Sequence, residues 1–274
     1  MPFASYEIDG RSYLGRVEGD SLVPLAGASE LGRQTPSDVL GELAAAGPAV
    51  AVSDVHLRAV VPQPDKIICV GLNYKAHIGE TGRETPEYPV LFNKFASSLV
   101  GAFDPISVPS ESTQCDYEGE LAVVIGRAGR RIAKRDAIAH VMGFSVANDV
   151  TMRDYQYKTH QWLQGKAWDA STPIGPYLYT PEEVDVTSAG LRTILNGSTM
   201  QDSDTSLMIF DIPTLISTIS EFTTLLPGDV ILTGTPGGVG FRRDPKVFLK
   251  PGDEVSIEID GLGAVRNRVI AEAR

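Results

Sequence analysis

The sequence predicts a β-rich α+β protein: a large strand-dominated domain with a few short helices, behind a small N-terminal appendage. Three observations lead there. The 27 glycines and 18 prolines punctuate short segments throughout the chain. Those segments are alternating or compactly apolar runs of strand length. A Pro-Gly-Asp turn occurs twice, at Pro227-Gly228-Asp229 and Pro251-Gly252-Asp253, each time ahead of an apolar run. Pro followed by Gly suits the central positions of a type II turn. Internal repetition of the solenoid kind, with a period of about 20–50 residues, is absent.

The elements follow in order. Residues 3–25 alternate around Asp9-Gly10, a type I′ hairpin signal. Ser37 to Leu43 reads as a short helix with Ser37 as its N-cap. Val61-Pro62-Gln63-Pro64-Asp65 reads as an extended linker, because proline disfavours helix in itself and in the residue before it. The boundary is placed there, giving a small β-rich domain over 1–62 and a catalytic domain over 63–274. Lys66–Gly71, Glu118–Gly126 and Val141–Asp149 are compact apolar runs that read as buried strands. Asp154–Gln164 reads as helical. So does Pro213–Leu225, with Leu215, Ile216, Ile219 and Phe222 at helical spacing and Pro213 in the first turn.

Bulk properties narrow the function classes. With 42% hydrophobic and 22% charged residues, the chain is neither a disordered tail nor a membrane protein. Lys plus Arg minus Asp plus Glu, 24 − 35, gives a net charge of −11. Such a surface repels phosphate backbones and anionic lipid, so nucleic-acid and membrane partners are not expected. The N-terminus has neither the basic nor the apolar region of a secretory signal, and two cysteines do not make a disulfide framework. A cytoplasmic location is therefore expected.

The sharpest chemical feature is Asp116-Tyr117-Glu118-Gly119-Glu120, running into Leu121–Ile125. On a strand, residues two apart share a face, so Glu118 and Glu120 project side by side. Paired like charges call for a cation or protons, and carboxylate oxygens select hard cations. A solvated edge strand carrying two glutamates fits the same pattern. Asp149, at the exit of an apolar segment, could complete a three-carboxylate site, or could cap the following helix.

A second constellation is Gly71-Leu72-Asn73-Tyr74-Lys75-Ala76-His77-Ile78-Gly79-Glu80, where His77 and Glu80 share a face on a helical turn. That arrangement serves acid–base catalysis or an ordinary solvated ion pair. Thr233–Gly240 is a glycine-rich loop lacking the Walker lysine and the G-x-G-x-x-G spacing, although its amides could hold a carboxylate. Lys166 lies where a loop could fold over a cleft, with a surface lysine as the default. Neither a G-x-S-x-G elbow nor an H-E-x-x-H pair is present.

Taken in order, CVGLNYKAHIGE, YPVLFNK, DYEGELAVVIG, GFSVANDVTMRDYQ, QGKAWDASTPIGP and LTGTPGGVG resemble the fumarylacetoacetate hydrolase family from about Lys66 onward. The resemblance implies a mixed β-sandwich roll that usually dimerises and binds Mg²⁺ or Mn²⁺. It implies Glu118, Glu120 and Asp149 as metal ligands, and His77 and Glu80 as a catalytic dyad on a lid. It also implies Lys166, Arg153, Asn73 and the Gly234–Thr235 loop around a 2-oxo acid. Family members hydrolyse acylpyruvates, decarboxylate oxaloacetate, or isomerise or decarboxylate unsaturated diacids such as 2-hydroxyhepta-2,4-diene-1,7-dioate. Because the dyad can activate water, the expectation is an acylpyruvate hydrolase, releasing pyruvate and a carboxylic acid in aromatic-compound catabolism. A non-catalytic protein binding metal or keto acid would need the carboxylates without the dyad.

Overall fold

The computed structural model describes residues 1–75 and 86–273. His77 and Glu80 lie outside the described residues. The N-terminal region contributes β1 (Phe3–Ile8), β2 (Arg11–Glu18), β3 (Ser21–Pro24), β4 (Val50–Ala51) and β5 (His56–Leu57). There follow β6 (Ile67–Gly71), β7 (Val90–Lys94), β8 (Leu99–Val100), β9 (Ile106–Val108), β10 (Cys115–Asp116), β11 (Gly119–Ile125), β12 (Val141–Asn148) and β13 (Thr151–Met152). The chain continues through β14 (Thr172–Tyr179), β15 (Gly190–Leu195), β16 (Ser198–Asp204), β17 (Val230–Leu232), β18 (Glu254–Ile259) and β19 (Gly263–Ala271).

The fold is α+β and strand-rich, as the sequence predicts. Ten strands run β4-β3-β2-β1-β14-β12-β11-β17-β6-β7, with β5 and β8 at its side. Pairing is mixed: β11–β12 is antiparallel and β17–β6 parallel. A second sheet, β16-β15-β18-β19-β9, packs across β11, β12 and β14. The strand β1 hydrogen-bonds to β14 through the pair Phe3↔Leu178, so the N-terminal hairpin extends the large sheet.

Alternation along β11 sorts its side chains between two cores. Leu121, Val123 and Ile125 meet Leu191, Ile257 and Val265 of the second sheet. Ala122 and Val124 face Leu14, Val60 and Leu232 on the other side. Gly119 belongs to the first face, where a Cβ would lie 2.6 Å from Thr193 Oγ1 and 2.9 Å from Ile257 Cγ2. Glu118 and Glu120 are thereby committed to the opposite face.

Local signals mostly act as expected. Asp9 and Gly10 both have positive φ, 48° and 75°, as a type I′ turn between β1 and β2 requires. Gly228 and Gly252 have φ of 85° and 98°, and each following aspartate side chain accepts from the backbone three residues earlier, at Leu226 and Lys250. The helix at the third expected position spans Ile212–Phe222, and Asp211 caps it by accepting from Thr214 N at 2.8 Å. Two helical expectations need correction. The first helix is one turn, Ser37–Leu40, with Pro36 rather than Ser37 at the N-cap position and no side-chain cap. The stretch expected to be helical over 154–164 is instead two single turns, Arg153–Gln156 and Leu163–Lys166. Trp162 from the intervening segment lies against Phe92 at a centroid distance of 5.4 Å, so tertiary packing overrides propensity there.

Candidate active site

The site begins with strand register. The pair Gly119↔Asn148 is the last rung between β11 and β12. One step further, Asp149 N donates to Glu118 O at 2.9 Å, which sets these two acids opposite each other. Glu120 lies two residues along the same face. Glu118, Glu120 and Asp149 are buried, and one carboxylate oxygen from each lies within 4.8 Å of the others.

Three buried cations surround them. Lys166 Nζ, from the turn Leu163–Lys166, bridges Glu118 Oε2 at 2.7 Å and Asp149 Oδ2 at 2.6 Å. Lys94, at the end of β7, donates to Asp149 Oδ1 at 2.7 Å and to Val150 O at 3.1 Å. Arg153 Nη2 lies 2.7 Å from Glu118 Oε1, while its Nε donates to Asp116 Oδ2 at 2.8 Å. Arg153 Nη1 donates to Gln156 Oε1 at 2.9 Å. Lys166, expected as a surface residue from local sequence, is 1% exposed.

Electrostatics leave this cluster short of positive charge. With all four ionised, the buried acids Asp116, Glu118, Glu120 and Asp149 face three buried cations, Lys94, Arg153 and Lys166, so among the described residues 3 − 4 leaves one excess negative charge. Burial pushes the Glu120 carboxyl well above the ordinary range, and Asp149 and Glu118 push it further. None of the described ion pairs reaches Glu120, whose Oε2 instead accepts from Gly234 N at 2.8 Å. Burial opposes the Lys166 charge, but Asp149 and Glu118 outweigh it and raise its pKa, so the side chain is an ammonium. An all-oxygen donor set with a charge deficit fits a hard divalent cation. The three carboxylates would hold it.

The glycine-rich loop and Asn73 build the frame. Gly234 has φ of 100°, and a Cβ there would meet Asn73 Cβ and Val70 O, each at 2.8 Å. Glycine alone lets the loop bring its amide to Glu120. Asn73 Nδ2 donates to Thr233 O and Phe210 O, and its Oδ1 accepts from Phe210 N. Thr235 Oγ1 donates to Gly119 O and accepts from Gln201 Nε2. Asn73, Gly234 and Thr235, expected around the substrate, thus use these polar groups within the protein, although Thr235 still lines the adjoining pocket. Glu118, Arg153, Gln156 and Lys166 line it too, walled by Phe92, Trp162 and Phe241. Asp154 stands apart, accepting from Ser112 Oγ at 2.7 Å.

Comparison with known proteins places this geometry. Residues 66–270 match the model of the fumarylacetoacetate (FAA) hydrolase C-terminal family. The chain belongs to the fumarylacetoacetate hydrolase family. It is 48% identical over 244 residues to a Bos taurus protein named oxaloacetate tautomerase FAHD2A, mitochondrial, covering 88% of this chain and 78% of that one. A Xenopus laevis protein named oxaloacetate tautomerase fahd2, mitochondrial, is 49% identical over 221 residues, covering 80% and 69%. Among solved structures, a fumarylacetoacetate hydrolase from Exiguobacterium antarcticum superposes with a TM-score of 0.87 at 36% identity, over 99% of this chain and 100% of that one. A 2-hydroxyhepta-2,4-diene-1,7-dioate isomerase from Mycobacterium marinum gives 0.84 at 33% identity, with 100% of each covered.

Sequence reasoning singled out the three acids, Arg153 and Lys166, and the structure brings all five together. It missed Lys94, although YPVLFNK carries it, because only the approach of Asp149 from 55 residues away gives it a role. It also gave no role to Asp116, the buried partner of Arg153. Its signal is the acid two residues before Glu118 on a strand edge.

Proposed function

We propose that the protein is a Mg²⁺- or Mn²⁺-dependent enzyme that interconverts the keto and enol forms of oxaloacetate. One observation carries the reading: three buried carboxylates, short of positive charge, sit beside a buried ammonium in a pocket. The relatives named oxaloacetate tautomerase supply the substrate. A bound divalent cation would polarise the 2-oxo group and stabilise negative charge developing on its oxygen.

The chain's own residues do the rest. Lys166, held as an ammonium, places a fixed positive charge at the pocket wall and can hydrogen-bond an oxyanion. Arg153 supports Glu118 and adds positive charge at the same wall. Phe92, Trp162 and Phe241 lower the local dielectric, which strengthens both effects. Tautomerisation moves a proton from C3 to the 2-oxo oxygen, and we assign the C3 proton acceptor to His77, oriented by Glu80.

Acylpyruvate hydrolysis is the competing reading, favoured by the structural likeness to a protein named fumarylacetoacetate hydrolase. In it, His77 would take a proton from water attacking the distal carbonyl. The two readings share the carboxylates and differ in whether a C–C bond breaks. We also take the protein to act as a homodimer in the cytoplasm. Phe95 and Leu163, 50% and 37% exposed beside Trp168, supply an apolar patch that supports association. Both cysteines are free and buried, as suits a reducing compartment.

The test is a product analysis with Mg²⁺ present. Oxaloacetate and acetylpyruvate are supplied separately, following enol absorbance, carbon dioxide, and pyruvate plus acetate. Accelerated enol–keto relaxation without carbon dioxide supports the tautomerase. Faster release of pyruvate and acetate from acetylpyruvate establishes the hydrolase instead, and rapid loss of carbon dioxide a decarboxylase.

A further inference from the structure

We infer that Arg242 is a specificity-determining residue that binds the distal carboxylate of a dicarboxylic 2-oxo acid. The inference rests on the reading of this pocket as a 2-oxo acid site, and adds what the far end of the substrate must be. Arg242 ends a single turn, Gly240–Arg242, that follows the glycine-rich loop. The turn is fastened from below, because Gly240 N and Phe241 N donate to the two oxygens of buried Asp116 at 2.8 and 3.0 Å. Asp116 is also the carboxylate that holds Arg153. One buried acid therefore ties the position of Arg242 to that of the catalytic cluster.

The presentation of the guanidinium suits a ligand. Arg242 lines the same pocket as Lys166 and Glu118, is half-buried, and enters none of the described ion pairs. Its guanidinium lies 5.1 Å from the centroid of Phe241, and that ring stacks on Tyr157 at 5.3 Å. Contact with the ring restrains the side chain, so less of its freedom is lost when a carboxylate arrives. A planar fork is the group that meets a carboxylate with two parallel hydrogen bonds.

Charge counting points the same way. With its four acids ionised, the described cluster carries one excess negative charge, and a divalent cation held there would turn it into one positive charge. Adding Arg242 makes two. A doubly charged anion neutralises that total, whereas a monocarboxylic 2-oxo acid leaves one positive charge behind. In a chain carrying −11 overall, a pocket-lining arginine outside the described ion pairs runs against the general field and selects for anions.

The experiment compares oxaloacetate with pyruvate, the same 2-oxo acid without the distal carboxylate, using full-length protein with Mg²⁺. Enolisation of both is followed by exchange of the C3 hydrogens with deuterated water, and dissociation constants are taken by calorimetry. Arg242→Met keeps an apolar stem on Phe241 and removes the charge. It should lower the preference for oxaloacetate over pyruvate by about 10- to 100-fold, in kcat/KM and in Kd alike, the range of a charge-assisted contact. Arg242→Lys should restore part of that preference. Lys246, a cation 4.1 Å from the Phe241 centroid that does not line the pocket, is the control, and Lys246→Met should leave the ratio unchanged.

An unchanged ratio in Arg242→Met, or an equal fall in Lys246→Met, overturns the assignment. If the wild type fails to enolise oxaloacetate, the proposed activity fails, and the calorimetric ratio still decides the role of Arg242. A wild type that binds oxaloacetate no more tightly than pyruvate overturns it.

Discussion

Lys166→Met tests the charge arrangement directly. The Nζ bridges two buried carboxylates, Glu118 at 2.7 Å and Asp149 at 2.6 Å, at a site 1% exposed. Methionine keeps most of the side-chain volume and removes the charge, leaving two acids that have lost a shared cation. Removing one partner of a buried ion pair typically costs about 3–5 kcal/mol. With about 2.1 cal/mol/K of unfolding entropy per residue over 274 residues, that range lowers Tm by roughly 5–9 °C. The assay is calorimetric melting in EDTA and then in excess Mg²⁺. A divalent cation at the three carboxylates replaces part of the missing charge, so Mg²⁺ should raise the variant's Tm more than the wild type's. A wild-type Tm in EDTA, or an equal Mg²⁺ response in both proteins, would refute the reasoning.

Other consequences follow from the same geometry. Glu118→Ala should abolish metal-dependent turnover and weaken Mg²⁺ binding by calorimetry while near-wild-type circular dichroism persists; retained turnover would exclude Glu118 from the site. Asp116→Asn removes the charge that accepts from Arg153, Gly240 and Phe241, and should cost roughly 1.5–3 kcal/mol in urea unfolding, with KM for oxaloacetate rising as Arg153 and Arg242 lose their anchor. Gly119→Ala drives a methyl to within 2.6 Å of buried Thr193 Oγ1, and should cost about 1–3 kcal/mol by the same measurement. Light scattering should show a mass above the 29.4 kDa of one chain at micromolar concentration.

Much of the site was legible because its centre is a strand. Period-two alternation put Glu118 and Glu120 on one face. Asp149 was legible as the acid at the exit of an apolar run, and the antiparallel register brings it across from Glu118. Lys166 was legible only through the resemblance, because local sequence makes it a surface lysine by default. Its burial is imposed by Glu118 and Asp149, respectively 48 and 17 residues away. Lys94 and Asp116 escaped for the same reason, as each becomes meaningful only when a distant charge closes on it. The broken helix over 153–166 shows the converse. Local composition favours helix there, yet packing Trp162 against Phe92 and carrying Lys166 into the cluster requires a break.

The central claim is that the three-carboxylate cluster, loaded with a divalent cation, enolises a 2-oxo dicarboxylate without breaking a C–C bond. It is tested most directly by following the decay of enol oxaloacetate to its keto form with protein stripped in EDTA and then reloaded with Mg²⁺. The wild type should be inactive when stripped and restored on reloading, with Glu120→Gln inactive in both states and no carbon dioxide released. Equal rates with stripped and reloaded protein, or full activity in Glu120→Gln, would contradict it.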